Sequence, residues 1–509
     1  MAEKRIIVPI LGQDFSFPSV HLNDRNNFGQ NIIPFEGELR QRGGHVAYGT
    51  LPMSTPVLHL AFYQKSNLTF LMIRISATKT QVYNSVTNVW NDITKSGVDW
   101  TGTEGINFFD HAVLADTLLL TNGIDNIQAY SGSGLCADLG GSPPKAKYME
   151  SYGDYVVLAH VEDGGTTYPT RVQWNDTGDP TDWSSGNSGS QDLADDPSPL
   201  VGIKKLNEFI VVYKEDSIYI GRLVDSIAVF QFTLQVTGIG LLNNRCVINH
   251  NGLHYFLAKN GNIYAFNGVI AEPIGDEIRT NIFPRLNSDR LETCHARKNK
   301  EDKVVEFYIT VGFDSWPKES WSINYENGTI FKNKIDSVST TTDFKDTEGQ
   351  EIWDDDDDTW DSDTTRWDEG LGGIGFKFLL IGKADGIVAK ELPSTLNDIS
   401  TAICQQFITK DFHLDFHDKY KRWLMVEFWA QGDSLTLDYS IDFGTTWVSI
   451  PKDASTTKFV LTSEMAHYCG YCDVKNSHIR FRFQNDNVSE SFRFREMALT
   501  ANIEEALCT

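Results

Sequence analysis

The chain has 509 residues, 44 of them basic and 69 acidic, for a net charge of −25. A composition that is 40% hydrophobic and 12% aromatic excludes a disordered chain, and the length exceeds one ordinary domain. So acidic a surface repels a phosphate backbone, which argues against a tight nucleic-acid binder but not against a conduit along which nucleic acid slides.

The opening MAEKRIIVPI lacks the apolar stretch of a secretory signal, and no run reaches the ~20 apolar residues of a membrane helix. The expectation is a soluble protein made in a reducing cytoplasm, with residues 1–54 as an extended lead-in. From about residue 55 a strand pattern repeats, each copy closing on a large side chain and a turn. The copies are TQVYNSVT (Tyr83), NIQAYSG (Tyr130), TRVQWND (Trp174), SIYIGRL (Ile220), NIYAFNG (Phe266) and SINYENG (Tyr325). Their spacings are 47, 44, 46, 46 and 59 residues. Each has an apolar partner run upstream, from LTFLMIRI to VVEFYIT, across a turn rich in Gly, Asn or Asp. That is a hairpin signature.

Three or four strands in about 46 residues is the size of a propeller blade. A single blade cannot cover both its faces, but radial stacking does so and leaves only short edges. The spacing therefore predicts an all-β fold over 55–394, a β-propeller of six or seven blades. The seventh blade is FKFLLIGKADGIVAKEL.

An acidic insertion over 336–372 interrupts the last units. Within 343–369 there are 13 acidic residues against Lys345 and Arg366, a local net of −11. Two readings stand. Asp354, Asp356, Asp358, Asp361 and Asp363 are candidate Ca2+ ligands, since a hard cation takes several oxygens from a flexible loop. The EF-hand pattern fails, however, and a run of like charge is otherwise a solvated loop. Trp353, Trp360 and Trp367 recur every seven residues and are candidate contacts for a partner subunit.

Over 395–509 the repeat stops and strand patterns continue, predicting a small antiparallel β-sandwich. In HIRFRFQ and SFRFREM the aromatic residues alternate with Arg480, Arg482, Arg493 and Arg495, giving each strand one apolar and one arginine face. Residues 484–491 suit a hairpin, and the four arginines are either a partner-contact patch or a solvated face. Ser440, Asp442, Gly444, Thr446 and Trp447 fit S-x-D-x-G-x-T-W, the Asp box familiar from sialidases. It is a folding device in which Ser and Asp fix a turn and Gly takes a positive φ. The seven cysteines are scattered. Cys469 and Cys472 form a lone C-x-x-C beside His467, a set short of the four ligands of a structural zinc site, so reduced thiols are expected.

A sialidase-like hydrolase competes with a structural role, but there is one Asp box, outside the repeat. Arg74, Arg171, Arg222 and Arg245 do not recur at strand starts. Phosphate and dinucleotide loops are absent from the sequence. The expectation is a non-enzymatic chain without a resident cofactor, the Ca2+ candidate aside. A host-surface glycan-binding module is the other alternative.

Two segments carry a family resemblance. Residues 171–221 combine the turn WNDTGDPTDW with a hairpin ending in KEDSIY, through Trp174, Gly178, Asp179, Pro180, Trp183, Lys214, Ser217 and Tyr219. The second is NIIPFEGELRQRGGHVAYGT at 31–50. Together with the layout, these make the chain similar to the tail nozzle, or packaged-DNA stabilization, proteins of short-tailed bacteriophages. The resemblance implies a homo-hexameric ring in the virion tail, below the portal and the head–tail adaptor proteins. It also implies tail fibre or needle and plug proteins as neighbours, and double-stranded DNA passing without sequence-specific binding. The insertion at 343–369 and the loop at 184–199 are candidate gates.

Overall fold

The computed structural model describes residues 3–8, 28–35, 37–67, 69–224, 229–300, 302–345, 377–414, 419–452 and 456–506. These form seven four-stranded antiparallel blades and a two-sheet sandwich. Blades one to six span 59–92, 110–138, 145–192, 200–237, 247–273 and 295–334. The first strand of each packs beside the first strand of the next, and Val338–Lys345 of blade seven packs beside His59–Gln64 of blade one, closing the ring.

The recurring motif is the third strand of each blade, and the apolar run upstream is the second. Tyr130, Trp174, Ile220 and Phe266 are buried in the layers between blades. Each such side chain contributes about 1.5–3 kcal/mol. Second strands such as Tyr155–Asp163 are buried on both faces, so they read as continuous apolar runs rather than alternating ones. The long step of 59 residues holds a helix, Asp276–Ile282, and 3-10 turns between blades five and six.

In blade seven, Lys377–Lys383 pairs with Val338–Lys345 and Val388–Leu392 follows as third strand. Residues 338–345 therefore belong to a blade and not to the acidic insertion, whose expected start at 336 is too early. The fourth strand is supplied from far away by Gly44–Ala47, antiparallel to Val388–Leu392. A Cβ on Gly44 would run into the Asn397 carbonyl, so this close approach requires glycine.

The other described strands of the amino-terminal segment are woven into the sandwich. Glu3–Val8 and Glu38–Gln41 pair with the last strand, Phe492–Ala506, which also pairs with Lys419–Gly432. Phe28–Gln30 lies between Gln405–Ile408 of the opposite sheet and Ile330–Lys334, the outer strand of blade six. Blade six and one sandwich sheet are thus one continuous sheet. Where it is described, the lead-in expected over 1–54 is a strap joining both parts of the molecule.

The sandwich corrects a second expectation. Arg480–Asn485 pairs with Gln405–Ile408 and Ser434–Ser440 in one sheet, while Phe492–Ala506 lies in the other. Residues 484–491 arch between sheets and do not form a hairpin. Phe481, Phe483, Phe492 and Phe494 meet in the core, so the two arginine rows lie on opposite outer faces and form no single patch.

Candidate functional site

The strap is held by a buried chain of alternating charges where blades six and seven meet the sandwich. Arg42 donates to Asn31 Oδ1, to the carbonyls of Gly43 and Lys334, and to both oxygens of Asp398 at 3.0 and 2.5 Å. His45 Nδ1 lies 3.0 Å from Asp398, and its Nε2 lies 3.7 Å from Glu391. Arg297 Nη2 reaches Glu391 at 2.7 Å, and its Nε reaches Glu306 at 2.5 Å. Glu306 further accepts from Ser320, Tyr308 and Asn333, so all four strands of blade six converge on it. Beside it, Arg40 pairs with Asp302.

With His45 protonated, the three cations Arg42, His45 and Arg297 balance Asp398, Glu391 and Glu306. Burial alone would lower the His45 pKa, but its contact with Asp398 and the nearby Glu391 carboxylate overcome burial and raise it. Burial alone would raise the Glu391 pKa, but Arg297 and His45 hold it at about 2. Asp398 lies well below the usual carboxylate range for the same reason, with Arg42 the main opposing charge. A raised histidine contributes stability that is complete below its unfolded pKa of about 6.5 and is lost as pH climbs through the folded value. The stability difference between the natural chain and His45→Gln is therefore expected to be largest below about pH 6.5 and to shrink as pH rises. Thermal unfolding of both chains at a series of pH values checks this. A difference that grows with pH would contradict it. The comparison cancels His59 and His111, which burial keeps neutral and whose effect runs the other way.

The propeller axis is crossed by polar side chains. Asp110 of blade two accepts from the Met149 amide of blade three at 3.0 Å and from Asn244 Nδ2, leading into blade five, at 2.8 Å. Lys204 of blade four sits 3.6 Å from Asp110 and 3.5 Å from Glu150. His59 Nε2 and His111 Nδ1 lie 2.8 Å apart, and Arg245 donates to the Ser339 carbonyl of blade seven. Burial raises Glu150 to about 7 despite Lys204. The Asp110–Asn244, Lys204–Asp110 and Arg245–Ser339 contacts tie non-neighbouring blades together, and the others join neighbours.

The Asp box forms the turn between Ser434–Ser440 and Val448–Ser449. Ser440 Oγ accepts from the Gly444 amide at 2.8 Å. Asp442 accepts from the Thr446 amide at 2.9 Å and from its hydroxyl at 2.5 Å, and these bonds hold its carboxyl at about 2. Gly444 takes φ +87°. Trp447 is half-buried under the Arg482 guanidinium, 4.5 Å from the ring centre.

Two of the four arginines are used internally. Arg480 is buried and doubly bonded to Asp411 at 2.7 and 2.5 Å. Arg482 donates to Asp438 at 2.9 and 2.7 Å. These two are not the free contact residues that alternation suggested. Arg495 pairs with Glu38 at 2.6 Å while half exposed, and Arg493 is exposed on the same outer face.

The residues carrying the family resemblance are structural. Trp174 Nε1 donates to the Asn187 carbonyl and Trp183 Nε1 to that of Pro180; Asp179 accepts from Thr181. Lys214 is buried and donates to the carbonyls of Leu193 and Asp196, while Ser217 donates to the Asp196 carboxylate. Gly189–Asp192 is the outer strand of blade three, so 184–199 is not one free loop.

Asp354, Asp356, Asp358, Asp361, Asp363, Trp353, Trp360 and Trp367 lie outside the described residues. Among the described residues six cysteines are free thiols. Cys472 packs against the sandwich core and donates to the Trp423 carbonyl, whereas Cys469 sits opposite Glu427 on the outer face. The C-x-x-C pair therefore does not converge. Sequence reading missed Glu427, Asp411, Asp398 and Glu391, because each meets its partner only through the fold.

No family model matches the chain, and no curated protein matches it. Among solved structures it is similar to YCF48 bound to D1 peptide, at 9% identity and TM-score 0.41, over 71% of this chain and 97% of that one. It is similar to the Pan2 WD40 domain of Neurospora crassa, at 8% identity and TM-score 0.38, over 70% and 96%. It is also similar to BamB from Moraxella catarrhalis, at 9% identity and TM-score 0.36, over 76% and 99%. At these values nothing about activity passes to this chain; the propeller stands on its seven closed blades.

Proposed function

We propose that the chain is a structural, nozzle-like subunit of a short-tailed phage tail. Six copies form a ring below the portal and the head–tail adaptor that conducts the genome and closes against its leakage. Fibre or needle and plug proteins are its neighbours on the far side. One observation carries this reading. The segment 31–50, half of the resemblance to nozzle proteins, is the strap that binds propeller and sandwich into one body through the buried charges of Arg42 and His45. A wall that resists packaged DNA needs such a body.

Two further features support it. Asp110, Asn244 and Lys204 link non-neighbouring blades across the propeller, so DNA would travel between subunits and not along a propeller axis. The net charge of −25 offers phosphate little to hold. A closed ring of identical chains requires a head-to-tail interface that closes on itself. Cryo-electron microscopy of the purified chain, and of particles containing it, is expected to show a six-fold ring with a central channel at the portal vertex. A dispersed monomer absent from the tail axis would overturn the reading and leave glycan binding or hydrolysis in its place.

A further inference from the structure

The outer face of the sandwich carries three metal-ligating side chains on two paired strands. Glu427 of Lys419–Gly432 stands directly across from Cys469 of Ala466–Asn476, and the next outward pair is Trp429 and His467. His467 Nε2 is 3.2 Å from Glu427 Oε1 and 3.8 Å from Cys469 Sγ. All three ligand atoms lie within 4.8 Å of one another.

Zinc bonds of about 2.0–2.3 Å at tetrahedral angles place neighbouring ligand atoms about 3.3–3.6 Å apart. The two separations from His467 Nε2 differ from that by about 0.1–0.2 Å, and the Glu427–Cys469 separation, within 4.8 Å, closes by side-chain adjustment. The donors also have the right chemistry: thiolate, imidazole and carboxylate together suit zinc, while Ca2+ and Mg2+ take oxygen alone. The platform is rigid. Val426 and Phe428, flanking Glu427, are buried in the sandwich core, and the Trp429 ring lies 4.6 Å from the His467 ring and holds its orientation. Glu427 is 12% exposed and His467 is 42% exposed, so the cluster opens to solvent on one side.

We infer that Glu427, His467 and Cys469 form a zinc site with three protein ligands and a fourth position open to water. Cys472 is excluded because its sulfur faces the core. The C-x-x-C spacing is thus incidental, and the third ligand comes from a strand 40 residues away.

The test uses the full chain without an affinity tag, titrated with zinc by calorimetry and with Co2+ by absorption spectroscopy. One equivalent of zinc is expected to bind, and Co2+ is expected to give the intense near-ultraviolet absorption of a cobalt thiolate. Cys469→Ser should abolish that absorption. Glu427→Gln and His467→Ala should each weaken zinc binding by about 100-fold or more, and Cys472→Ser should change it less than about 2-fold. Circular dichroism of each variant shows whether the sandwich is intact. Absent thiolate absorption, or zinc binding unchanged in Cys469→Ser and so located elsewhere, would overturn the site.

Discussion

Replacing Arg42 by methionine is expected to cost about 3–5 kcal/mol of folding stability. The guanidinium is buried, and its donors are spent on Asn31, Gly43, Lys334 and both oxygens of Asp398. Methionine fills much of the volume but leaves Asp398 buried beside His45 alone, and leaves two backbone carbonyls without their donor. Lysine should recover little, because a point charge with three donors cannot span partners arranged for a planar fork. Because the strap spans both parts, the loss should also split one urea transition into two. Urea unfolding followed by tryptophan fluorescence reads both effects. A change below about 1 kcal/mol with a single unsplit transition would show that the backbone pairing of Gly44–Ala47 holds the strap without the charges.

The blades were legible because each repeats the same problem locally. A second strand sandwiched between neighbours must be apolar throughout, and a third strand must end in a large side chain at the layer between blades; Trp174 and Phe266 show both the need and the period. The closing strand was not legible. Gly44–Ala47 is four residues long, and nothing within it says that its partner is Val388–Leu392, far along the chain. The arch at 484–491 failed for a related reason. Alternation in HIRFRFQ and SFRFREM states which face is buried, and a hairpin and an arch between sheets share that pattern. Only the pairings with Ser434–Ser440 and Lys419–Gly432 distinguish them.

The candidate sites divide along the same line. The Asp box was legible because all its hydrogen bonds close within a few residues, from Ser440 to Thr446. The charged junction was not, since His45, Glu391 and Asp398 are brought together by the propeller's closure. The same holds for Glu427 beside His467. His467 stood out in the sequence and Glu427 did not, whereas neither side of the junction did.

Arg480 gives the sharpest separation between a surface role and a structural one. If it were a partner contact, its loss would weaken assembly and leave the subunit's stability alone. Its geometry requires the opposite. Asp411 is 1% exposed and takes two bonds from Arg480. The same guanidinium lies directly beneath the Asp-box turn, where a Cβ on Gly444 would meet Arg480 Nη1 at 3.0 Å. Arg480→Met is therefore expected to cost about 3–5 kcal/mol in the isolated chain and to loosen the turn around Asp442. Arg493→Met, on the exposed face, should stay within about 0.5 kcal/mol. Adding Asp411→Leu to Arg480→Met should recover much of the loss, because an apolar pair of similar volume removes the buried carboxylate that Arg480 no longer faces. Equal small effects for Arg480 and Arg493, with a defect confined to assembly, would return Arg480 to the surface role.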